Sequence, residues 1–298
     1  MRMRFILVVL LSIFSIIVSC GKKQEKQSEA EIPAVKISKF VAVEKWATVS
    51  NLETPESVLY DPDRDVLYVS NIRGGPMIKD GNGFISKVTM TGEIADLEWI
   101  KNLNAPKGSA IWNNKLYVAD IDELVEIDIE AGKILNRYTA PHAKFLNDVT
   151  VDRHGNLYIS DTSFLNSVIY KFHQGKFEVW LEDDETTQPN GLFAEKDELI
   201  VGLGSRFLKA VKFSDKTIRT IAATGFAVDG VQGDGYGNYI ISDWTGKTAF
   251  VTASGDIKLL LDTSEFKINS ADIEYIPGKN LLFIPTFFDN RVVAYHVE

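Results

Sequence analysis

Four side chains with oxygen donors of short reach recur at equivalent positions of a repeat whose mean period is 43 residues. Converging carboxylate and amide oxygens, without histidine or thiolate, suit a hard divalent cation: Ca²⁺ first, then Mg²⁺ or Mn²⁺, with Zn²⁺ fitting less well on ligand type. A single Asp or Asn at the start of a strand indicates only a turn, so the prediction of a metal site depends on the shared register. In chain order the six equivalent positions carry Glu56, Lys107, Asn147, Asn190, Asp229 and Ala271.

The repeat that carries these residues consists of strand pairs. Each repeat contains an apolar run, a polar turn of Asp, Gly and Asn residues, and a second apolar run, which is typical of a β-hairpin. Alternating sequence between the hairpins adds about two more strands to each period, and no long amphipathic helix accompanies them. The six hairpin segments span residues 55–71, 106–120, 146–161, 189–203, 228–243 and 270–286.

A four-stranded unit repeated six times at this period predicts an all-β fold, a six-bladed β-propeller. Because the innermost strand of every blade begins at the mouth of the central channel, the equivalent positions should point toward one axis. After the sixth hairpin, residues 290–297 provide a third strand for the last blade but no fourth. We therefore expect the strand from Trp46 to Val49 to pair beside Val292 to Tyr295, which would close the ring and remove its exposed edges.

From about residue 45 to residue 298, the sequence resembles the senescence-marker-protein/gluconolactonase family, the six-bladed propellers that include regucalcin and bacterial sugar lactonases. It is more distantly similar to the squid-type diisopropylfluorophosphatases. The resemblance implies that Glu56, Asn190 and Asp229 hold a divalent metal ion and that Asn147 either ligates it or binds substrate. The motifs that carry it are Pro55-Glu56-Ser57, Leu146-Asn147-Asp148, Pro189-Asn190-Gly191 and Val228-Asp229-Gly230.

A metal-dependent hydrolase of lactones, acting on a small-molecule substrate such as a sugar lactone, is the activity that this resemblance implies. In such a site Asp229 would be the general base or nucleophile, and Asn147 would orient the substrate carbonyl. Lys107 and Trp244 are further candidates for substrate contacts. The alternative is a non-catalytic propeller that serves as a ligand- or protein-binding platform, because fold alone does not define function.

Two positions depart from the family pattern. Phe145 stands where regucalcin-like members have a substrate-binding arginine, two residues before Asn147. Lys107 projects into the predicted channel, where its ammonium group would repel a cation, take its place, or swing to the rim and bind an anionic substrate. The long first interval of the repeat adds a loop around residues 74–81, which we expect to be a lid over the channel or a docking surface.

The composition is that of an ordinary globular protein. Of 298 residues, 45% are hydrophobic and 24% are charged, and the formal charge of −9 argues against a nucleic acid as partner. A single cysteine excludes an internal disulfide framework and a cysteine-based zinc cluster. We expect one domain and a monomer.

The N-terminal sequence predicts export and lipidation. Two arginines precede an apolar run from Phe5 to Val18, which is typical of a secretory signal peptide and too short to span a bilayer comfortably. Cys20 ends this run in a sequence that resembles a bacterial lipobox. We expect residues 1–19 to be a signal peptide, residues 20–40 a lipidated Cys20 with a flexible tether, and residues 41–298 the propeller. The lipid would be the sole membrane contact, at the outer membrane facing the periplasm in a Gram-negative organism.

Overall fold

The computed structural model describes residues 41–164 and 167–298, which form 24 β-strands and four short 3₁₀ turns. The predicted signal peptide, Cys20 and tether lie outside the described residues. Within the described part of the chain, no helix has the length and apolarity needed to cross a membrane.

The strands follow the hairpin pattern of the sequence closely. The first half of the chain contains β1 (Ala42–Ala47), β2 (Pro55–Asp61), β3 (Val66–Asn71), β4 (Gly83–Thr89), β5 (Ile94–Leu103), β6 (Pro106–Trp112), β7 (Lys115–Asp120), β8 (Glu123–Asp128), β9 (Lys133–Thr139), β10 (Leu146–Val151), β11 (Leu157–Asp161), β12 (Val168–His173) and β13 (Lys176–Leu181). The second half contains β14 (Pro189–Ala194), β15 (Glu198–Leu203), β16 (Phe207–Lys212), β17 (Ile218–Ala223), β18 (Val231–Gly233), β19 (Tyr239–Asp243), β20 (Lys247–Val251), β21 (Ile257–Asp262), β22 (Glu274–Ile276), β23 (Leu281–Pro285) and β24 (Val292–Val297). The 3₁₀ turns are Asp184–Thr186, Ser264–Phe266, Pro277–Lys279 and Phe287–Asp289.

These strands form six antiparallel sheets of four strands each, so the prediction of a six-bladed all-β propeller is confirmed. In blades one to five, four consecutive strands pair in sequence order, from β2–β5 to β18–β21. Blade six contains β22, β23, β24 and β1, and β1 is the outermost strand. The connections within blades are short except the one from β3 to β4, which contains the 74–81 loop. The ring is closed by β1, the first strand of the described residues, which pairs with β24.

The closing strand lies where the sequence predicts it. Trp46 pairs with Ala294, Ala47 pairs with Val293, and the Thr48 amide donates to the Val292 carbonyl at 2.9 Å. The strand begins at Ala42, earlier than expected, because pairing continues toward the C-terminus of β24. The Trp46 ring lies 5.7 Å from the ring of Phe283, between centroids, and its indole N–H donates to the Met90 carbonyl of blade one.

The core consists of apolar layers between successive blades. Leu67, Val69 and Val88 of blade one, for example, pack with Phe283 and Val292 of blade six in one buried cluster. Successive side chains of a strand point to opposite faces of the blade. Because a neighbouring blade covers each face, apolar side chains are buried on both faces.

Glycines at the channel let the innermost strands approach one another. A Cβ atom on Gly108 would lie 2.2 Å from the Asp148 Oδ1 atom, and one on Gly191 would lie 2.2 Å from the Asp229 carbonyl oxygen. Both glycines follow an equivalent position of the repeat directly. Small residues at this point are thus a steric requirement of a narrow six-bladed ring.

Candidate functional site

The residues at the equivalent positions lie at the end of the channel where the innermost strands begin. Glu56, Lys107, Asn147 and Asp229 are buried, each with at most 7% of its surface exposed, and Asn190 is half-buried. The Asn190 Nδ2 atom donates to Asp229 Oδ1 at 2.6 Å, which joins blades four and five. In blades five and six the equivalent positions precede the strands, because β18 and β22 are only three residues long.

Residues that end the second strand of a blade fix the segments that carry the site. The Asp120 carboxylate accepts the backbone N–H groups of Asn104 and Ala105, which directly precede the strand of Lys107. Asp161 accepts the N–H groups of Lys144 and Phe145 in the same way. Carboxylates with several N–H donors hold a loop rigidly, so the segments entering β6 and β10 have defined positions.

In three blades, the serine directly before the last residue of the second strand forms hydrogen bonds to an innermost strand or to the segment that enters it. The Ser70 hydroxyl donates to the Lys107 carbonyl at 2.6 Å, and Ser160 Oγ accepts the N–H of Asp148 at 2.9 Å. Ser242 Oγ accepts the Gly230 N–H at 2.8 Å and donates to the Ala271 carbonyl at 2.7 Å. Sequence reasoning missed this supporting layer, although Ser-Asn or Ser-Asp ends three of the six hairpin segments.

Glu56 is the most unusual group of the site. It is 5% exposed, and its Oε2 atom is buried without a hydrogen-bond partner among the described residues. Burial raises the pKa of Glu56 well above its usual range, and the negative charge of Asp229 raises it further, while Lys107 opposes this. Burial removes water from this oxygen, and no described residue donates a hydrogen bond in its place. The atom is therefore available to a cationic or protic ligand.

Burial also raises the pKa of Asp229, to about 7, against the hydrogen bond from Asn190 that lowers it. It lowers the pKa of Lys107 to about 8, against the opposing charge of Glu56. Desolvation disfavours the charged form of either kind of group, which explains the opposite directions. The protein itself therefore supplies too few hydrogen bonds and positive charges to stabilise the ionised carboxylates of the channel mouth fully.

The Lys107 ammonium group faces backbone carbonyls. Its Nζ atom donates to the Pro76 carbonyl at 3.0 Å and to the Ala105 carbonyl at 2.9 Å, and it lies 4.7 Å from the ring centroid of Phe145. Among the described residues, no ion pair within 4 Å joins it to Glu56 or Asp229. Lys107 thus attaches the 74–81 loop of blade one to the channel, and its 1% exposure places it inside the mouth instead of at the rim.

Three further carboxylates lie deeper in the channel, and sequence reasoning missed them. Asp148, Asp272 and Glu274 line a cavity of about 320 Å³ that extends toward the opposite end of the channel. Burial raises the pKa of Asp148 to about 6 and that of Asp272 well above its usual range. Asp148 and Asp272 each follow an equivalent position by one residue, and Glu274 follows Ala271 by three. A search at these offsets would have identified all three.

An aromatic cluster lies beside the mouth on blades five and six. The ring of Trp244 lies 5.4 Å from that of Phe287 and 5.8 Å from that of Phe288, between centroids. Trp244 is 41% exposed and Phe288 is 65% exposed, so two of the three rings are accessible to a ligand.

The donor set partly fits a divalent cation. No three His, Cys, Asp or Glu side chains converge as a metal site within residues 41–164 and 167–298. Of the predicted ligands only Glu56 and Asp229 are carboxylates, and the remaining oxygens come from the Asn147 and Asn190 amides. Calcium accepts such mixed oxygen ligands, and the unpartnered Oε2 of Glu56 marks a position where a cation would gain an interaction.

The fold and the channel define a six-bladed β-propeller with a polar site at one mouth. The structure is similar to the WD40 β-propeller domain of Doa1, with a TM-score of 0.58 and 11% sequence identity over 80% of this chain and 77% of that chain. It is also similar to the extracellular domain of a one-component system from B. thetaiotaomicron, with a TM-score of 0.54 and 12% identity over 81% of this chain and 33% of that chain. No protein-family profile and no curated protein matches the sequence. These similarities concern the fold alone.

Proposed function

We propose that this protein is a divalent-cation-dependent hydrolase of lactones, related to the senescence-marker-protein/gluconolactonase propellers. The observation that carries the proposal is the buried Oε2 atom of Glu56, which has no partner among the described residues and lies in the field of Asp229. The pattern of equivalent residues supports the same proposal, since four oxygen-donor side chains stand where the innermost strands of four blades begin.

In this proposal Glu56, Asn190 and Asp229 hold the cation, and Asn147 contributes a ligand or a substrate contact. A bound cation at this point supplies Lewis-acid activation of a lactone carbonyl and of water. Asp229, buried beside Glu56 and held by Asn190, accepts the proton from the attacking water. Asn190 keeps the Asp229 carboxylate in place through its amide N–H, and the Asn147 amide orients the substrate carbonyl.

Elemental analysis and a hydrolysis assay on the same preparations test this proposal. After dialysis against Ca²⁺ we expect one bound calcium per chain, its loss in Glu56→Gln, and retention in Glu178→Gln, which alters an exposed glutamate on β13, the outermost strand of blade three. We expect Asp229→Asn to lower lactone hydrolysis by about 10²–10⁴-fold. Full activity of Asp229→Asn, or calcium that survives Glu56→Gln, would contradict the assignment.

A second candidate is a binding platform without turnover. The loop fastened by Lys107 presents Met77 and Ile78, which are 59% and 55% exposed, on the same face as Phe288. Apolar side chains gathered on one face favour contact with a partner or ligand. Stoichiometric calcium without hydrolysis of any lactone would favour this candidate over the enzyme.

A further inference from the structure

The aromatic cluster of Trp244, Phe287 and Phe288 lies above the one blade whose equivalent position offers no functional group. Ala271 of blade six is fully buried and presents only a methyl group toward the axis. Phe287 covers it, and both belong to a buried apolar cluster that extends to blade two through Ile72 and Ala105. The polar part of the mouth is therefore interrupted at blade six by an apolar sector.

Hydrogen bonds connect the segments that carry the aromatic cluster with the backbone segments that carry Glu56 and Asp229. On one side, Asn290 Oδ1 accepts the Thr54 N–H at 2.8 Å, which ties the turn containing Phe287 to a residue two positions before Glu56. On the other side, Trp244 follows Ser242 by two residues, and the Ser242 carbonyl accepts the Asp229 N–H at 2.8 Å. The rings thus occupy the arc of the mouth between Asp229 and Glu56.

The backbone of Phe287 is itself unusual. Its φ of 49° lies in the left-handed region, which bulky L-residues rarely adopt and which costs conformational energy. The surrounding turn holds this conformation through the Asn290 N–H, which donates to the Phe287 carbonyl at 3.0 Å. Strain of this kind is retained where a side chain must occupy one particular position.

The chemistry of this sector distinguishes between substrates. The side chains that a ligand can touch in this sector are the exposed rings of Trp244 and Phe288, and of these only the Trp244 indole N–H can form a hydrogen bond. The hydroxyl groups of a sugar placed here would gain almost no hydrogen bonds from the protein. An alkyl chain would instead gain from leaving water, by about fourfold in affinity for each buried methylene.

We propose that the substrate is a lactone whose ring carries an apolar alkyl chain, with the chain lying against Trp244 and Phe288. This inference rests on the proposed hydrolase function and replaces the sugar lactone of the family resemblance by an alkyl lactone. The ring carbonyl would reach Asn147 and the carboxylates while the chain extends over blade six toward solvent.

Kinetics with three lactones test the inference on the purified protein in the presence of Ca²⁺. δ-Decanolactone carries a pentyl chain, δ-valerolactone has the same ring without it, and glucono-δ-lactone carries hydroxyl groups. We expect kcat/KM for δ-decanolactone to exceed that for glucono-δ-lactone by about 10²-fold or more. Phe288→Ala should lower the value for δ-decanolactone by about tenfold and leave that for δ-valerolactone unchanged.

Tyr236→Ala is the matched control, because Tyr236 is 88% exposed and lies in the turn between β18 and β19, at the end of blade five opposite the mouth. Preference for glucono-δ-lactone, or equal effects of Phe288→Ala and Tyr236→Ala, would overturn the substrate class while leaving the hydrolase intact. Calorimetry with 6-pentyl-2-piperidone, a lactam that resists hydrolysis, separates the two proposals. Binding that weakens in Phe288→Ala without hydrolysis of any lactone would support the alkyl-binding sector and refute the hydrolase. Neither binding nor hydrolysis would refute both.

Discussion

Glu274 should make the stability of the propeller depend on pH between about 5 and 8. Its side chain lies on the innermost strand of blade six with 9% of its surface exposed. Burial raises its pKa from 4.5 to about 7, against the N–H groups of Tyr60 and Tyr275, which each donate to one carboxylate oxygen at 3.0 Å. The negative charge of Asp148, across the cavity, raises the pKa further.

The sign follows from which state binds the proton more tightly. Because the folded state holds the proton up to about pH 7 and the unfolded chain only to about 4.5, the contribution of Glu274 to stability is complete below pH 4.5. It is lost as the pH rises through 7. Between pH 5 and 8 the loss is about 2.5 kcal/mol, since each tenfold difference in proton affinity corresponds to about 1.4 kcal/mol.

Glu274→Gln removes this loss, because the amide stays neutral at every pH. The variant gives up one acceptor for a backbone N–H, and that cost is the same at both pH values. We therefore expect the Tm of the variant, relative to the unaltered protein, to be about 5–10 °C higher at pH 8 than at pH 5. Asp148 and Asp272 are present in both proteins, so their contributions largely cancel in this difference.

Differential scanning calorimetry at pH 5, 6, 7 and 8 measures the difference directly. Glu265→Gln, in which the altered carboxylate is exposed, provides the control and should give a Tm difference that changes little with pH. A difference for Glu274→Gln that is equally flat would refute the reasoning, because it would mean that Glu274 is ionised in the folded protein throughout this range.

Two further perturbations test the construction of the ring. Removal of residues 1–35 should leave Tm unchanged, whereas removal of residues 1–48 should lower stability by about 3 kcal/mol or more through the loss of Trp46 packing alone; similar melting of both truncations would contradict ring closure by β1. Gly108→Ala should cost about 3 kcal/mol, because its Cβ atom would lie 2.6 Å from the Asp148 Cα atom. Gly278→Ala, which meets no atom within 4 Å, should be nearly neutral in thermal unfolding, and equal Tm values for the two variants would refute the steric argument.

The architecture could be predicted from sequence because the signal is local and repeated six times. Each hairpin combines β-branched or aromatic runs with a polar turn. The last repeat lacks a fourth strand, and this identifies the N-terminal strand as the one that closes the ring. The ends of elements were less predictable. β18 and β22 begin later than the hairpin pattern indicates, since Asp229 and Ala271 lie in the backbone segments that enter these strands.

The site was predictable only to the extent that it follows the repeat. Equivalent positions brought Glu56, Asn190 and Asp229 to one mouth, as a common axis requires. The acceptors of Lys107 could not be anticipated, because Pro76 belongs to a loop that breaks the period and whose path no pattern specifies. Burial was equally hidden: whether a carboxylate at the channel keeps its water depends on side chains from several blades at once.

Function in this fold arises from departures from the repeat. The backbone presents six nearly equivalent positions, and identical residues there would give a symmetric ring suited only to an ion on the axis. Here Lys107 occupies one position, amides and carboxylates occupy four, and Ala271 leaves the sixth open to Phe287. Such a mouth has a polar arc and an apolar sector, so a ligand with one polar end and one apolar end is oriented by it in a single way.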